Sequence, residues 1–186
     1  MERKREVTKA LLAESFKELM LKSSFDKITI KMITDAAGVI RPTFYNYFQD
    51  KHEVMEWLLE EEVFKGVRRT MEEHRDMEAI HMIFKKIEKE KGYYQKAFEV
   101  TGQNGFEEIL TREMKRMVEL LLENHEFTLE KNQGLISKRA FVEFQTATVV
   151  SGLKLWIMNR EQNLNADEAM EFYVFLMSHS ILDIIS

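Results

Sequence analysis

The sequence predicts an all-α protein, about nine helices long, with a three-helix helix-turn-helix domain at the N-terminus and a larger helical domain after it. Three observations predict this. The 186 residues contain one proline, so almost no position forbids a helix. Apolar residues recur three and four apart along most of the chain, and no stretch alternates as a half-buried strand would. The run ITIKMITDAAGVIRPTFYNYFQDK, residues 28 to 51, sets two short helices on either side of a glycine turn.

Taken in order, a first helix over about 6 to 22 places Val7, Ala10, Leu11, Phe16, Leu19 and Met20 toward a small core. Thr29 then caps a second helix whose inward residues are Ile30, Ile33, Ala36 and Ala37. Gly38 supplies the backbone freedom for a sharp turn, and Val39 follows as an apolar plug. The third helix begins at Pro42, which fixes its own backbone angle and disfavours a helical Arg41, so Arg41 is the expected cap. Ile40 sits just outside, where it can staple onto Tyr45. Phe44 and Phe48 are four apart and face the core, which leaves Thr43, Tyr45, Asn46 and Tyr47 outward. Such hydroxyls and an amide suit phosphate oxygens and base edges better than bare solvent.

A fourth helix over about 51 to 73 repeats Trp57, Phe64 and Met71 every seven residues, beside Val54, Leu58 and Val67. Helices near 76 to 90, 92 to 101 and 105 to 124 come next, with TGQNG, 101 to 105, as a helix-ending turn. EFTLEKNQG, 126 to 134, is the clearest linker. Two long helices close the chain, about 135 to 161 and 165 to 184. The domain boundary is expected at residue 50, giving 1–50 as the helix-turn-helix domain and 51–186 as the larger helical domain.

Composition narrows the possible functions. An apolar content of 45% supports a real core, and the absence of Cys excludes disulfides, thiolate metal sites and cysteine nucleophiles. No apolar run approaches the roughly 18 residues of a membrane span. The opening MERKREVTKALLAESF is charged and amphipathic rather than a secretory signal, so a cytoplasmic protein is expected. The formal charge is −5, yet residues 1 to 52 carry ten Lys/Arg against seven Asp/Glu. A positive end on an acidic body favours an oriented, salt-sensitive contact with a polyanion.

With these residues in view, the stretch resembles the DNA-binding domain of the TetR family of bacterial transcriptional regulators. The residues that carry the likeness are Thr29, Ala37, Gly38, Val39, Thr43, Tyr45, Phe48 and Lys51. The resemblance implies that Arg41, Pro42, Thr43 and Asn46 approach bases in the major groove, while Thr29, Tyr45, Tyr47 and Lys51 hold phosphates. This sequence departs from the family pattern with Thr34 where Ala is usual, Ile40 where a small hydroxyl residue is common and Tyr47 where His is common. YYQKAFEVTGQNGFEEIL and the later SGLKLWIMNR are also similar to a subgroup that includes regulators of dihydroxyacetone kinase operons.

The last two helices carry the expected dimer surface. Ala147, Thr148, Ser151 and Gly152 form a small-residue seam bordered by Phe144 and Leu155, and Tyr173, Leu176, Met177 and Ile181 belong to a broad apolar stripe. In the family these helices are the usual dimer surface, so the interface residues expected here are Phe144, Ala147, Ser151, Leu155, Tyr173, Leu176, Met177 and Ile181. The same side chains can instead be interior surface of one domain. An effector pocket is expected among the middle aromatics, from Phe64, Tyr94, Phe98, Asn104, Phe106, Phe144 and Thr148. Tyr93, Phe141, Gln95, Gln103 and Gln145 are further aromatic and polar candidates, and core filling is the competing use of the rings.

No cofactor, metal or catalytic group is expected. TGQNG lacks the preceding strand and the Lys of a phosphate loop, and the five His residues make no pair four apart on one helix. No nucleophile, base and orienting acid can be assembled. The expected function is a ligand-responsive regulator, a repressor, that binds a near-palindromic DNA operator as a homodimer and answers to a small-molecule effector, away from membranes. The alternative is a protein of the same fold that acts through a protein partner with reduced DNA reading.

Overall fold

The computed structural model describes residues 2–123, 125, 137–159, 161, 163–179 and 183. Among them the chain is helical with no strand. The helices are α1 (Glu2–Lys22), α2 (Ile30–Ala36), α3 (Arg41–Tyr45), α4 (Lys51–Leu59), α5 (Lys65–Glu72), α6 (Asp76–Lys89), α7 (Lys91–Phe98), α8 (Phe106–Glu123), α9 (Lys138–Met158) and α10 (Ala166–Ser178). A 3-10 turn, Phe25–Lys27, precedes α2, and a π turn, Glu60–Phe64, joins α4 to α5 without a break. The predicted fourth helix is thus one run with a widened turn inside it. The predicted linker at 126 to 134 lies outside the described residues, as does Ile181.

Two compact units result. The first comprises Met1–Glu62 and Lys91–Leu110, the second Val63–Glu90 and Thr111–Ser186. The first contains the whole of residues 1–50 and adds most of the first turns of the fourth helical run, α7 and the start of α8.

In the first unit α1 packs against α2, α4 and α7. Its buried face is Leu12, Ala13, Phe16 and Met20. Val7 and Leu11 were expected inside, but they are 62% and 46% exposed, and Ala10 is exposed too. The cause is local. Leu11 and Leu12 are adjacent on a helix and start two stripes about 100° apart, and only the second continues through Phe16 to Met20. Ala36 is likewise exposed, because α2 closes just after it and Ala37 takes the inward position.

Lys17 is buried among these apolar residues and is held by carboxylates. Its ammonium donates to Glu62 at 2.9 Å and lies 3.1 Å from Glu14. Burial pulls the ammonium's pKa down, but the bonds to Glu62 and Glu14 outweigh it, so the net shift is upward. The π turn places Glu62 within this reach.

In the second unit α6 packs on both α5 and α10. Asn165 caps α10 in a reciprocal box with Glu168. The first turn of α10 is tied to α6 by three contacts: Ala166 N–H donates to Glu88 at 2.8 Å, and Asp167 accepts from His81 at 2.6 Å and from Lys85 at 2.7 Å. α10 spans Ala166–Ser178, with His179 turning to extended backbone; apart from Asp183, the predicted continuation from 180 to 184 lies outside the described residues. No described helix is long and apolar enough to cross a membrane.

Candidate nucleic-acid interface and effector cavity

The turn between α2 and α3 follows from its residues. Thr29 caps α2, its hydroxyl oxygen accepting from Met32 N–H at 3.2 Å. At the other end Gly38 adopts φ +66°, Gly38 N–H donates to Asp35 C=O and Val39 N–H donates to Thr34 C=O at 3.0 Å. This pair of bonds is a Schellman closure, and it needs the left-handed residue that glycine supplies without strain. Thr34, which stands where Ala is usual, is 1% exposed, and its hydroxyl donates back to Ile30 and Lys31 carbonyls at 3.0 Å, so its polarity is satisfied inside the helix.

α3 starts one residue earlier than expected. Ile40 is the cap, Arg41 is the first helical residue and Pro42 the second. The restriction before proline is a preference, and here Thr43 N–H closes the turn onto Ile40 C=O at 2.9 Å while the N–H that Pro42 lacks would have had no helical partner. Ile40 is 71% exposed and therefore does not form the expected staple.

The inward side of α3 is locked. Phe44 and Phe48 are fully buried with ring centroids 5.7 Å apart, and Phe48 meets Trp57 at 6.0 Å. The Lys9 ammonium sits 5.1 Å from the Phe48 ring centroid and 5.4 Å from that of Trp57. The opposite side presents Arg41, Pro42, Tyr45 and Asn46 to solvent, with Thr43 and Tyr47 half-buried beside them. Arg41 also donates to the Tyr45 hydroxyl at 3.2 Å, which joins a candidate base reader to a candidate phosphate holder.

Lys51 has a use that its place in the sequence did not reveal. Its ammonium donates to the Phe25 carbonyl at 2.7 Å and the Ile28 carbonyl at 2.8 Å, and lies 4.2 Å from the Phe25 ring centroid. Burial lowers its pKa, although Asp26 and Asp50 oppose this. Lys51 thereby holds the segment that delivers Thr29. Asp50 caps α4, accepting from His52 and Glu53 N–H. The His52 ring donates from Nδ1 to the Asn104 carbonyl at 2.8 Å, and Asn104 stands at φ +60° in the predicted 101–105 turn.

The expected effector residues divide between the two units. Tyr94, Phe98 and Phe106 form a buried stack in the first unit, with Phe106 centroids 5.7 Å from Tyr94 and 4.9 Å from Phe98. Asn104 is exposed in its turn. Phe64 is buried in the second unit, Phe144 is 66% exposed there, and Thr148 donates to the Phe144 carbonyl. A separate cavity of about 140 Å³ lies inside the second unit among α5, α6, α8, α9 and α10. Met71, Phe84, Met114, Met117, Phe141, Gln145 and Tyr173 are among its walls. Of these, only Phe141 and Gln145 were pocket candidates from the sequence. The rest were missed because the cavity is made by five helices from distant parts of the chain, although Met114 and Met117, three apart on α8, form a shared face that hinted at it.

Of the expected dimer residues, Leu155, Tyr173 and Leu176 line one groove within the second unit, and Ile181 lies outside the described residues. On α9, Phe144, Ala147, Ser151 and Leu155 are all exposed, Leu155 at 73%. On α10, Leu176 and Met177 are exposed, with Phe172 and Phe175 beside them, and Tyr173 is half-buried. A groove of about 540 Å³ runs here, with Gly152, Leu155, Trp156, Phe172 and Leu176 in its walls. Phe84 and Tyr173 line both this groove and the inner cavity, their rings 6.0 Å apart.

Comparison with known proteins agrees with this geometry. Residues 14–57 match the family model of bacterial regulatory proteins, tetR family. The chain is 20% identical over 143 residues to the HTH-type dhaKLM operon transcriptional activator DhaS of Lactococcus lactis subsp. lactis (strain IL1403), covering 77% of this chain and 75% of that one. Among solved structures it superposes on a dihydroxyacetone kinase operon activator DhaS with a TM-score of 0.70 at 18% identity, covering 92% of this chain and 94% of that one. A TetR transcriptional regulator from Streptococcus agalactiae 2603V gives a TM-score of 0.67 at 19% identity, with 94% and 96% covered. The N-terminal helix-turn-helix, residues 14–57, is thus that of the tetR family of bacterial regulatory proteins, and the chain as a whole has the fold of these solved regulators.

Proposed function

We propose that this protein is a ligand-responsive regulator that binds a near-palindromic operator as a homodimer, with residues 1–50 reading DNA and residues 51–186 holding the effector and dimer surfaces. The observation that carries the reading is α3: one side is pinned by Phe44 and Phe48, and the other offers Arg41, Pro42, Tyr45 and Asn46. A rigid back with a polar front is what a helix needs to enter a major groove in one register. In this reading Arg41, Pro42, Thr43 and Asn46 meet base edges. Tyr45 and Tyr47 donate to phosphates, Thr29 offers its hydroxyl proton while its oxygen caps α2, and Lys51 positions that cap and spends its remaining donor on the same phosphate.

The exposed apolar face of α9 and α10 supports the dimer, since a patch with Phe144, Leu155, Phe172 and Leu176 in contact with water is costly on a lone chain. The apolar cavity in the second unit supports an effector site, with Gln145 as its amide anchor. Repression is the outcome where the operator overlaps a promoter; the relative DhaS is named an activator, which fits an operator placed upstream.

Titration of labelled operator and random duplexes tests the reader. Asn46→Ala is expected to cost about 1–3 kcal/mol on the operator and to leave random DNA unchanged, whereas Tyr45→Phe weakens both and flattens the salt dependence. Equal losses on both duplexes for Asn46→Ala contradict its base-reading role.

A further inference from the structure

We infer that the cavity inside the second unit takes a small, uncharged, largely apolar molecule of benzene to phenol size, bearing at most one hydrogen-bonding group. This rests on the reading of that cavity as the effector site. Size is the first constraint. At about 140 Å³ the space matches the roughly 150 Å³ apolar cavity that stays dry and admits benzene, and it holds about six to eight non-hydrogen atoms.

The second constraint is the chemistry of the wall. Among the described residues that line the cavity none carries a charge, and Gln145 and Tyr173 are the polar side chains. The carboxylate next along α8, Glu113, is 2% exposed, does not line the cavity and is already engaged with Arg68 at 3.7 Å and with Arg116 at 2.5 Å. An ionised ligand would lose its hydration and meet no counter-charge. A small polyol would bring several hydroxyls to one amide and one phenol, leaving some buried without partners. A ring with one hydroxyl loses little, because Gln145 can donate or accept.

The third constraint is adaptability. Met71, Met114 and Met117 are unbranched thioethers on the wall, and such side chains mould to irregular apolar shapes and favour contact with ring edges. The wall therefore selects by polarity and size more sharply than by outline.

Calorimetric titration and thermal unfolding of the full-length protein with toluene, phenol, benzoate and dihydroxyacetone test this. Toluene and phenol are expected to bind saturably at one site per chain and to raise the unfolding midpoint; benzoate and dihydroxyacetone are expected to do neither. Val149→Phe, which fills the cavity from α9, should weaken both active probes about tenfold or more. Gln145→Leu should keep toluene binding and weaken phenol about tenfold, and this comparison decides the matter even where the filled variant fails to fold. Binding of benzoate or dihydroxyacetone in place of the apolar probes, or toluene binding untouched in a folded Val149→Phe, overturns the inference. Operator affinity measured with the same probes separates it from its premise. Toluene that binds without changing operator affinity sustains the ligand class and defeats the effector reading; dihydroxyacetone that binds and changes operator affinity does the reverse.

Discussion

Lys51 shows how one side chain can be placed correctly by its motif and still be used differently from what position alone suggests. An ammonium at the start of α4 reads as a phosphate contact, yet two of its donors go to the Phe25 and Ile28 carbonyls. Replacing it with methionine keeps the stem and removes both bonds. Lys51→Met is expected to cost about 1.5–3 kcal/mol of stability, the range for hydrogen bonds made by charged groups, measured as a shift in denaturant midpoint. Unchanged stability with weakened DNA binding would return it to a purely phosphate-holding role. The outward residues of α3 were legible from spacing, because Phe44 and Phe48 four apart fix which side is inward. The Lys17 burial was not, since its partner Glu62 is 45 residues away and a π turn sets the reach.

At the scale of elements, the Gly38 turn and the Thr29 cap were legible because their physics is local, whereas the cap of α3 falls on Ile40 rather than Arg41. Gly38 is needed for its φ of +66°, and no atom lies within 4 Å of where a Cβ would sit, so the cost of a side chain there is conformational rather than steric crowding. Gly38→Ala should lower stability by roughly 1–2 kcal/mol, the usual penalty of a left-handed L-residue, and a neutral result would mean that the turn relaxes. The start of α10 makes a different prediction. Lys85 foremost, then His81, hold the Asp167 carboxyl below its ordinary value of 3.8. A depressed carboxyl contributes stability above its unfolded pKa and loses it as pH falls through the folded value. Wild type should therefore lose more thermal stability below about pH 4 than Asp167→Asn does, read as the difference between their unfolding midpoints across that range. On α1 the exposed Val7 and Leu11 start a stripe that runs into Glu14, Ser15 and Glu18, whereas the stripe from Leu12 stays apolar through Phe16 to Met20 and is the buried one.

For the whole molecule, the sequence carried the helical architecture, the reader and the surface residues of α9 and α10, each visible as a stripe on one element. The cavity escaped because no single element contains it: Met71, Phe84, Met117, Gln145 and Tyr173 come from five helices. The aromatic cluster around Tyr94 and Phe106, conspicuous in the sequence, is a buried stack. The dimer proposal makes a direct prediction. Leu155→Glu, at a position 73% exposed in the lone chain, should leave folding intact and shift the protein from dimer to monomer in sedimentation. A dimer that survives the change would place its contact elsewhere. Loss of the dimer should also cost operator affinity, since two half-sites about one helical turn apart are held together only by the pair.

In the proposed function α3 reads DNA from a twofold protein. In vitro selection of duplexes bound by the purified protein, from random and genomic pools, tests it most directly, with Tyr45→Ala, Asn46→Ala run in parallel. An enriched near-palindrome with half-sites about one turn apart, lost in the variant, is the predicted result. A folded protein that enriches no sequence at low salt, or enriches the same sequence with the variant, would contradict it.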